Sequence, residues 1–272
     1  MKLKAFWISI ESHSRNDMTR LLRTCQYHLK MALIGLWCAL VTILFYLISF
    51  PANKKKWLAW AYAQALNMGV RTILGVKVNV IGRENMIAGP AVIIMNHQSN
   101  FDPLLQGVVY PKNAIIIGKK ELEKIPLWGR IFYASNNIMV DRHGAGKSSS
   151  AVDLSVERLK NDDCYIWIFP EGTRSLGGKM NAFKNGAFRM AIGAGVPIIP
   201  MVSKPLQPVL DVPNKLAIGG EHEIKILPWI STDGMSNDDV ENLIVKCSDI
   251  YREELSKYLD CDPDEVFRKE KA

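Results

Sequence analysis

Residues 31–50, MALIGLWCALVTILFYLISF, run for a full bilayer-crossing length without one charged side chain. A helix of that length spans about 30 Å, the thickness of a hydrocarbon core. The run starts too late and is too long for a cleaved signal peptide, and no small-residue cleavage site follows it. Pro51 ends it, Lys54, Lys55 and Lys56 come next, and Trp57 to Val70 forms a second, weaker apolar segment with tryptophans at its start, as at a membrane interface. Residues 1–75 therefore read as a basic N-terminus and a membrane-associated helical hairpin. Basic residues flank the first segment on both sides, with Arg15, Arg20, Arg23, His28 and Lys30 before it and the lysine trio after it. If both segments crossed, the trio would lie outside. If only the first crossed, the basic N-terminus would. A hairpin dipping into one leaflet, with both flanks on the anionic cytoplasmic surface, conflicts with neither set of charges.

The formal net charge of +7 asks for an acidic partner, and the apolar run selects an anionic membrane and phosphate-bearing substrates over nucleic acid. The five cysteines are scattered, with no C-x-x-C pair, which argues against a disulfide framework or a zinc site. None of the five histidines pairs with cysteine or carboxylate at metal-ligand spacing, so neither a metal nor a cofactor is expected.

From Val76 onward strand-like and helix-like segments alternate. Strands are expected at 76–81, 91–95, 114–117, 138–140, 164–169, 196–202, 216–218 and 223–227. Helices are expected at 103–109, 121–135 with an interruption near Pro126, 148–160, 187–194 and 238–259, the last opened by a capping box from Ser236 to Asp239. Such alternation predicts an α/β domain over residues 76–272, with a mostly parallel central sheet flanked by helices.

Two stretches carry chemistry. The first is Ala91 to Asp102, AVIIMNHQSNFD, a buried strand running into a polar turn. Asp102-Pro103 reads as a helix start with Asp102 as N-cap, which places His97 on a loop at the carboxyl end of a strand, where open α/β sheets bind ligands. A histidine is the natural general base near neutral pH, and a carboxylate on its other ring nitrogen fixes the tautomer and stabilises the imidazolium. No nearby serine or cysteine is bracketed like a nucleophile elbow, so the base would act on a hydroxyl of the substrate. The second is Phe169 to Ser175, FPEGTRS, which follows the strongest strand signal and so falls on the same sheet edge as His97. Its glycine lets the backbone approach a ligand closely, and its arginine offers a bidentate fork to phosphate. Backbone N–H groups near His97 or Gly172 are the expected holders of an oxyanion. The segment from Gly144 to Ser148 looks like the end of a P-loop, but Asp141 stands where that pattern needs glycine, and a Gly/Ser linker is the better reading.

NHQSNFD together with FPEGTRS resembles the glycerolipid acyltransferase family, specifically its 1-acyl-sn-glycerol-3-phosphate acyltransferases of bacterial type. The likeness covers roughly residues 60–205. It extends to the block Lys119-Lys120-Glu121-Leu122 with Pro126 and Gly129, to Ile138–Arg142 (IMVDR), and to Val196–Pro200 (VPIIP). The resemblance implies transfer of a fatty acyl group from acyl-CoA or acyl carrier protein to the sn-2 hydroxyl of lysophosphatidate, giving phosphatidate, with the active site on the cytoplasmic side of a membrane, the inner one if the source is a Gram-negative bacterium. It implies His97 as general base, Asp102 as its orienter, and Glu171, Gly172, Thr173 and Arg174 as acceptor-binding residues. Lys119 would be a second phosphate contact, with Lys120 as the fallback. Asn136 departs from the family, which commonly has glycine there. The alternatives are an acyltransferase for another lysolipid or glycerol 3-phosphate, a non-catalytic lipid-binding protein on the same fold, and a hydrolase releasing fatty acid. An intact His97/Asp102 pair disfavours the binder, and the unmarked nucleophile disfavours the hydrolase.

Overall fold

The structure, a computed structural model, describes residues 2–52, 54–140, 147–176 and 179–268, without the side chains of residues 2–17, Lys119 and 147–150. Asp141 and Arg142 of the IMVDR block, and 144–146 of the glycine-rich segment, lie outside the described residues.

The first two elements, α1 (Lys2–Ile48) and α2 (Lys56–Leu74), pack against each other as the expected helical hairpin. Gly69 makes the close approach possible, since a Cβ there would stand 2.1 Å from the Trp37 indole nitrogen, which donates instead to the Ala65 carbonyl at 3.0 Å. Tyr27, Ile34, Val41 and Phe45 form the buried stripe of α1, while Leu22, Leu29, Leu36, Leu40 and Leu47 stay exposed. Met18–Ile48 is long and apolar enough to cross a membrane. The second helix ends at Gly75, whose φ of 73° turns the chain into the sheet.

The strands and helices that follow are β1 (Val76–Ile81), β2 (Ala91–Met95), α3 (Asp102–Gln106), β3 (Ala114–Lys119), α4 (Trp128–Ala134), β4 (Ile138–Val140), α5 (Lys147–Asn161), β5 (Tyr165–Ile168), α6 (Gly186–Ala194), β6 (Ile198–Ser203), β7 (Leu210–Asp211), β8 (Leu216–Ala217), β9 (Gly220–Ile226) and α7 (Val240–Leu259). Seven strands form one sheet in the order β1-β9-β6-β2-β5-β3-β4, and only the β6–β9 pair is antiparallel. All five residues of β2 are buried, as an interior strand of a parallel sheet covered on both faces requires. Val92 and Ile94 face a core closed by α5, α6 and α7, and Ala91, Ile93 and Met95 face one closed by α2. The second helix is thus part of the catalytic-sized body. Asn67 donates to the Leu104 and Leu105 carbonyls at 2.9 Å, and Gln64 to the Gly107 carbonyl at 2.6 Å, fastening α2 to the helix that follows His97.

The structure differs from the sequence reading in several places. Asp102 is the first residue of α3 and not its N-cap. Phe101 holds that position, and the Asp102 carboxylate turns back onto the preceding loop. The helix expected to Val109 stops at Gln106 and continues as a 3₁₀ turn. The segment around Pro126 splits into a 3₁₀ turn over Lys120–Lys124 and α4, with Leu127 at φ 64° between them. The strand expected at 196–202 starts two residues later, because Val196 and Pro197 complete the turn out of α6. The ribbon of β7 and β8 has only two residues a side, and β7 left no periodic trace. Asn136 has φ 61°, the left-handed region that glycine and asparagine tolerate best, so the departure from the family's glycine preserves the turn. Ser236 and Asp239 form the capping box as expected.

Tyr251 on α7 ties the helical layer to the sheet. Its buried hydroxyl lies 2.8 Å from the carbonyl oxygens of both Ile94 in β2 and Met201 in β6. Tyr251→Phe should leave those acceptors short of a donor and cost about 1–3 kcal/mol, which a lowered thermal midpoint of the purified protein would report. An unchanged midpoint would show that the hydroxyl carries no such load.

Candidate active site

β2 and β5 are parallel neighbours with Ile94 opposite Ile168, so three residues further along each chain His97 and Glu171 arrive side by side. The two loops are then locked together by their own backbone. The His97 N–H donates to Glu171 Oε1 at 2.8 Å, and the Ser175 N–H donates to the His97 carbonyl at 2.8 Å.

His97 is held on three sides. Its Nδ1 lies 2.7 Å from Asp102 Oδ2, its ring stacks on Phe169 with centroids 4.0 Å apart and planes 12° off parallel, and its backbone is fixed as above. Asp102 Oδ2 also accepts from the N–H groups of Gln98 at 2.6 Å and Ser99 at 2.8 Å. That carboxylate is fully buried and acceptor-only when ionised, so Nδ1 carries the hydrogen and Nε2 is left as the basic nitrogen. Among the described residues no serine, threonine or cysteine side chain bonds the His97 ring.

Glu171 is 1% exposed. Its second oxygen accepts from the Asn181 backbone at 2.8 Å and the Asn181 amide at 3.1 Å. Burial pushes its carboxyl above the usual range, while the donors from His97 and Asn181 pull it back. All of its described contacts are to the two loops. Gly172 adopts φ 68°, and a Cβ there would meet the Lys184 side chain at 2.9 Å. Arg174 and Thr173 are exposed, and the Arg174 guanidinium donates to the Asn100 side-chain oxygen, next to the His97 loop. Lys119 is the last residue of β3, and Lys120 is exposed on the 3₁₀ turn after it. Lys120 does not border the cavity described next, although Gly118 and Leu122 do.

That cavity holds about 590 Å³ and is lined by His97, Gly172, Thr173 and Arg174 together with apolar residues of α2, β3 and α4, among them Tyr62, Leu66, Ile117, Ile131 and Phe132. The His97 imidazole and a guanidinium thus share a cavity with an apolar wall. Of the N–H groups near His97 and Gly172 expected to serve an oxyanion, four are spent. Those of His97, Gln98 and Ser99 go to carboxylates, and that of Gly172 goes to the Phe169 carbonyl at 3.0 Å. Among the described residues, those of Thr173 and Arg174 have no protein acceptor.

Behind the loop, Asn96 and Gln98 clamp the end of β6. Asn96 exchanges two bonds with Ser203, at 2.8 and 2.9 Å, and Gln98 donates to the Ser203 and Lys204 carbonyls at 3.1 and 2.9 Å. Ser203 in turn meets His222 Nε2 at 3.0 Å. The sequence reading gave none of the four a role, although Asn96 and Gln98 lie in NHQSNFD, because lone polar residues beside strands give no periodic signal.

The Acyltransferase family profile matches residues 77–204. The chain is 37% identical over 178 residues to a putative 1-acyl-sn-glycerol-3-phosphate acyltransferase of Caenorhabditis elegans, a match over 65% of this chain and 63% of that one, so it spans less than two thirds of that relative. It is 33% identical over 173 residues to the 1-acyl-sn-glycerol-3-phosphate acyltransferase of Escherichia coli K12, over 62% of this chain and 68% of that one. The fold is that of the crystal structure of the 1-acyl-sn-glycerophosphate acyltransferase from Thermotoga maritima, at TM-score 0.63 and 24% identity over 94% of this chain and 99% of that one. A half-buried histidine bonded to a fully buried aspartate at the carboxyl edge of a mostly parallel sheet, joined to the EGTR loop, agrees with these matches, and the chain belongs to the acyltransferase family.

Burial, reinforced by the nearby positive charge of Lys204, holds the His222 imidazole down at about 4. Below pH 6.5 the unfolded histidine takes up a proton that the folded one refuses, so its contribution to stability is present above that pH and is lost as pH falls towards about 4. Wild type should lose about 2 kcal/mol between pH 7 and 5 relative to His222→Gln. Parallel pH–stability curves for the two would contradict this.

Proposed function

We propose that the protein transfers a fatty acyl group from a thioester donor, acyl-CoA or acyl carrier protein, to the sn-2 hydroxyl of 1-acyl-glycerol 3-phosphate, forming phosphatidate at the cytoplasmic face of a membrane. One observation carries the reading: a histidine with Nδ1 locked to a buried aspartate opens onto an apolar cavity that also holds an arginine. The names of the relatives support it.

In this scheme Nε2 of His97 takes the proton of the acceptor hydroxyl as its oxygen attacks the thioester carbonyl. The new C–O bond forms, the C–S bond breaks, and the departing thiolate recovers the proton from the imidazolium. Asp102 stabilises that cation and holds the tautomer. Thiolate is a good leaving group, which is why one base suffices. The Thr173 and Arg174 N–H groups are the donors left for charge developing on the thioester oxygen. The Arg174 guanidinium faces the acceptor's phosphate, and Lys119 remains a second contact, with Lys120 behind it. Glu171 serves the acceptor indirectly, by shaping the loop that carries Gly172, Thr173 and Arg174. The acyl chains lie along the α2 and α4 wall, and the exposed leucines of α1 meet membrane lipid.

Thiol release from acyl-CoA by detergent-solubilised protein tests the reading. Release should require lysophosphatidate and should fall by about 10²–10⁴ in His97→Ala. Arg174→Ala should raise the acceptor KM far more than the donor KM. Release without acceptor would make the protein a thioesterase, and an unchanged acceptor KM would remove Arg174 from the phosphate site.

A further inference from the structure

The segment after α7 lies beyond the family match and returns to the site. Met180 and Phe267 form a short parallel bridge, with the Met180 N–H donating to the Val266 carbonyl and the Arg268 N–H to the Met180 carbonyl, both at 2.8 Å. The bridge has an apolar backing. Phe267 meets Phe183 edge-on with centroids 5.4 Å apart, Phe183 meets Tyr251 edge-on at 5.2 Å, and the Arg252 guanidinium lies 5.1 Å from the Phe267 centroid. Tyr251 is the residue fixed to β2 and β6. From this platform the Arg268 guanidinium donates to the Ser175 carbonyl at 3.0 Å, while the N–H of the same Ser175 donates to the His97 carbonyl.

Ser175 is therefore gripped from both sides, by the base's loop at its N–H and by Arg268 at its carbonyl. Arg174 precedes it directly and has no helix or strand to orient it. A flexible guanidinium recognises phosphate well only if its backbone is fixed, since a misplacement of about 1 Å can cost a site two orders of magnitude.

We propose that Arg268 is a positioning residue for the acceptor: by holding the Ser175 carbonyl it aims Arg174 at the phosphate. His97 keeps its other anchors, Glu171 and Asp102, so binding of the acceptor depends on Arg268 while the base does not. The inference rests on the function proposed above, with Arg174 as the phosphate contact. It also gives the region after residue 204 a role in the reaction.

The test measures lysophosphatidate and acyl-CoA dependence in the full chain for wild type, Arg268→Met, Arg268→Lys, Arg174→Ala and the double variant Arg268→Met/Arg174→Ala. Methionine keeps an unbranched apolar stem and removes the donors. Arg268→Met should raise the acceptor KM about tenfold, with kcat, donor KM and thermal midpoint within twofold or within error of wild type. Arg268→Lys should recover most of the loss. On the Arg174→Ala background Arg268→Met should add nothing, because it acts through that arginine. An acceptor KM unchanged in Arg268→Met, or effects that add in the double variant, would overturn the proposal. So would a rise in both KM values together with a fall in kcat and the midpoint, or failure to fold, which would assign Arg268 a merely structural role. Wild-type release that ignores lysophosphatidate would instead sink the function itself, separately from Arg268.

Discussion

A carboxylate without solvent is stable only if donors replace the water it has lost, and the Asp102 side chain is fully buried. Three donors converge on its Oδ2: the His97 ring, and the N–H groups of Gln98 and Ser99. Meeting that oxygen bends residues 97–99 around it, while the buried Oδ1 has no hydrogen-bond partner among the described residues. The bend aims the histidine and commits the loop's own N–H groups. The site that results is rigid where the proton moves. In the proposed reaction the charge on the thioester oxygen is then met from elsewhere, by the amides of Thr173 and Arg174.

Sheet topology supplies the second constraint. β2 and β5 are parallel and adjacent, so their carboxyl ends open on one edge and bring two motifs some seventy residues apart into contact. The contact is then sealed by Glu171, which accepts from His97 on one loop and from Asn181 on the other side of its own. Burial raises the cost of that carboxylate, and its three donors offset it. The second helix, fastened to α3 through Asn67 and Gln64, closes the apolar side of the cavity. A hairpin that reads in sequence as a membrane element is therefore also a wall of the site.

Much of this was legible in the chain. The runs AVIIM and CYIWIF announced buried strands because continuous Val/Ile and aromatic content fits little else, and β1, β2 and β4 have the expected bounds. The pairing of His97 with Asp102 was open on chemistry and spacing alone, and the resemblance carried by NHQSNFD and FPEGTRS favoured it. What stayed hidden depends on tertiary contact. Asp102 reads as an N-cap because Asp-Pro opens many helices, but the histidine and two loop amides compete for its oxygens and win. Glu171 looks like a ligand for substrate until Asn181, ten residues on, is seen to occupy it. Phe169 reads as the end of a strand and serves as the plate under the imidazole. Arg268 is one of three basic residues in the charged stretch 268–271, and nothing in its neighbours announces that it reaches Ser175.

The central claim is that His97 activates the acceptor directly and that no protein side chain carries the acyl group. Intact-protein mass spectrometry after incubation with acyl-CoA, first without and then with lysophosphatidate, tests it most directly. The account predicts an unmodified protein mass in both samples, with phosphatidate formed only in the second. A protein heavier by one acyl group before acceptor is added, and returned to its original mass afterwards, would contradict it and put a covalent intermediate in place of the direct transfer.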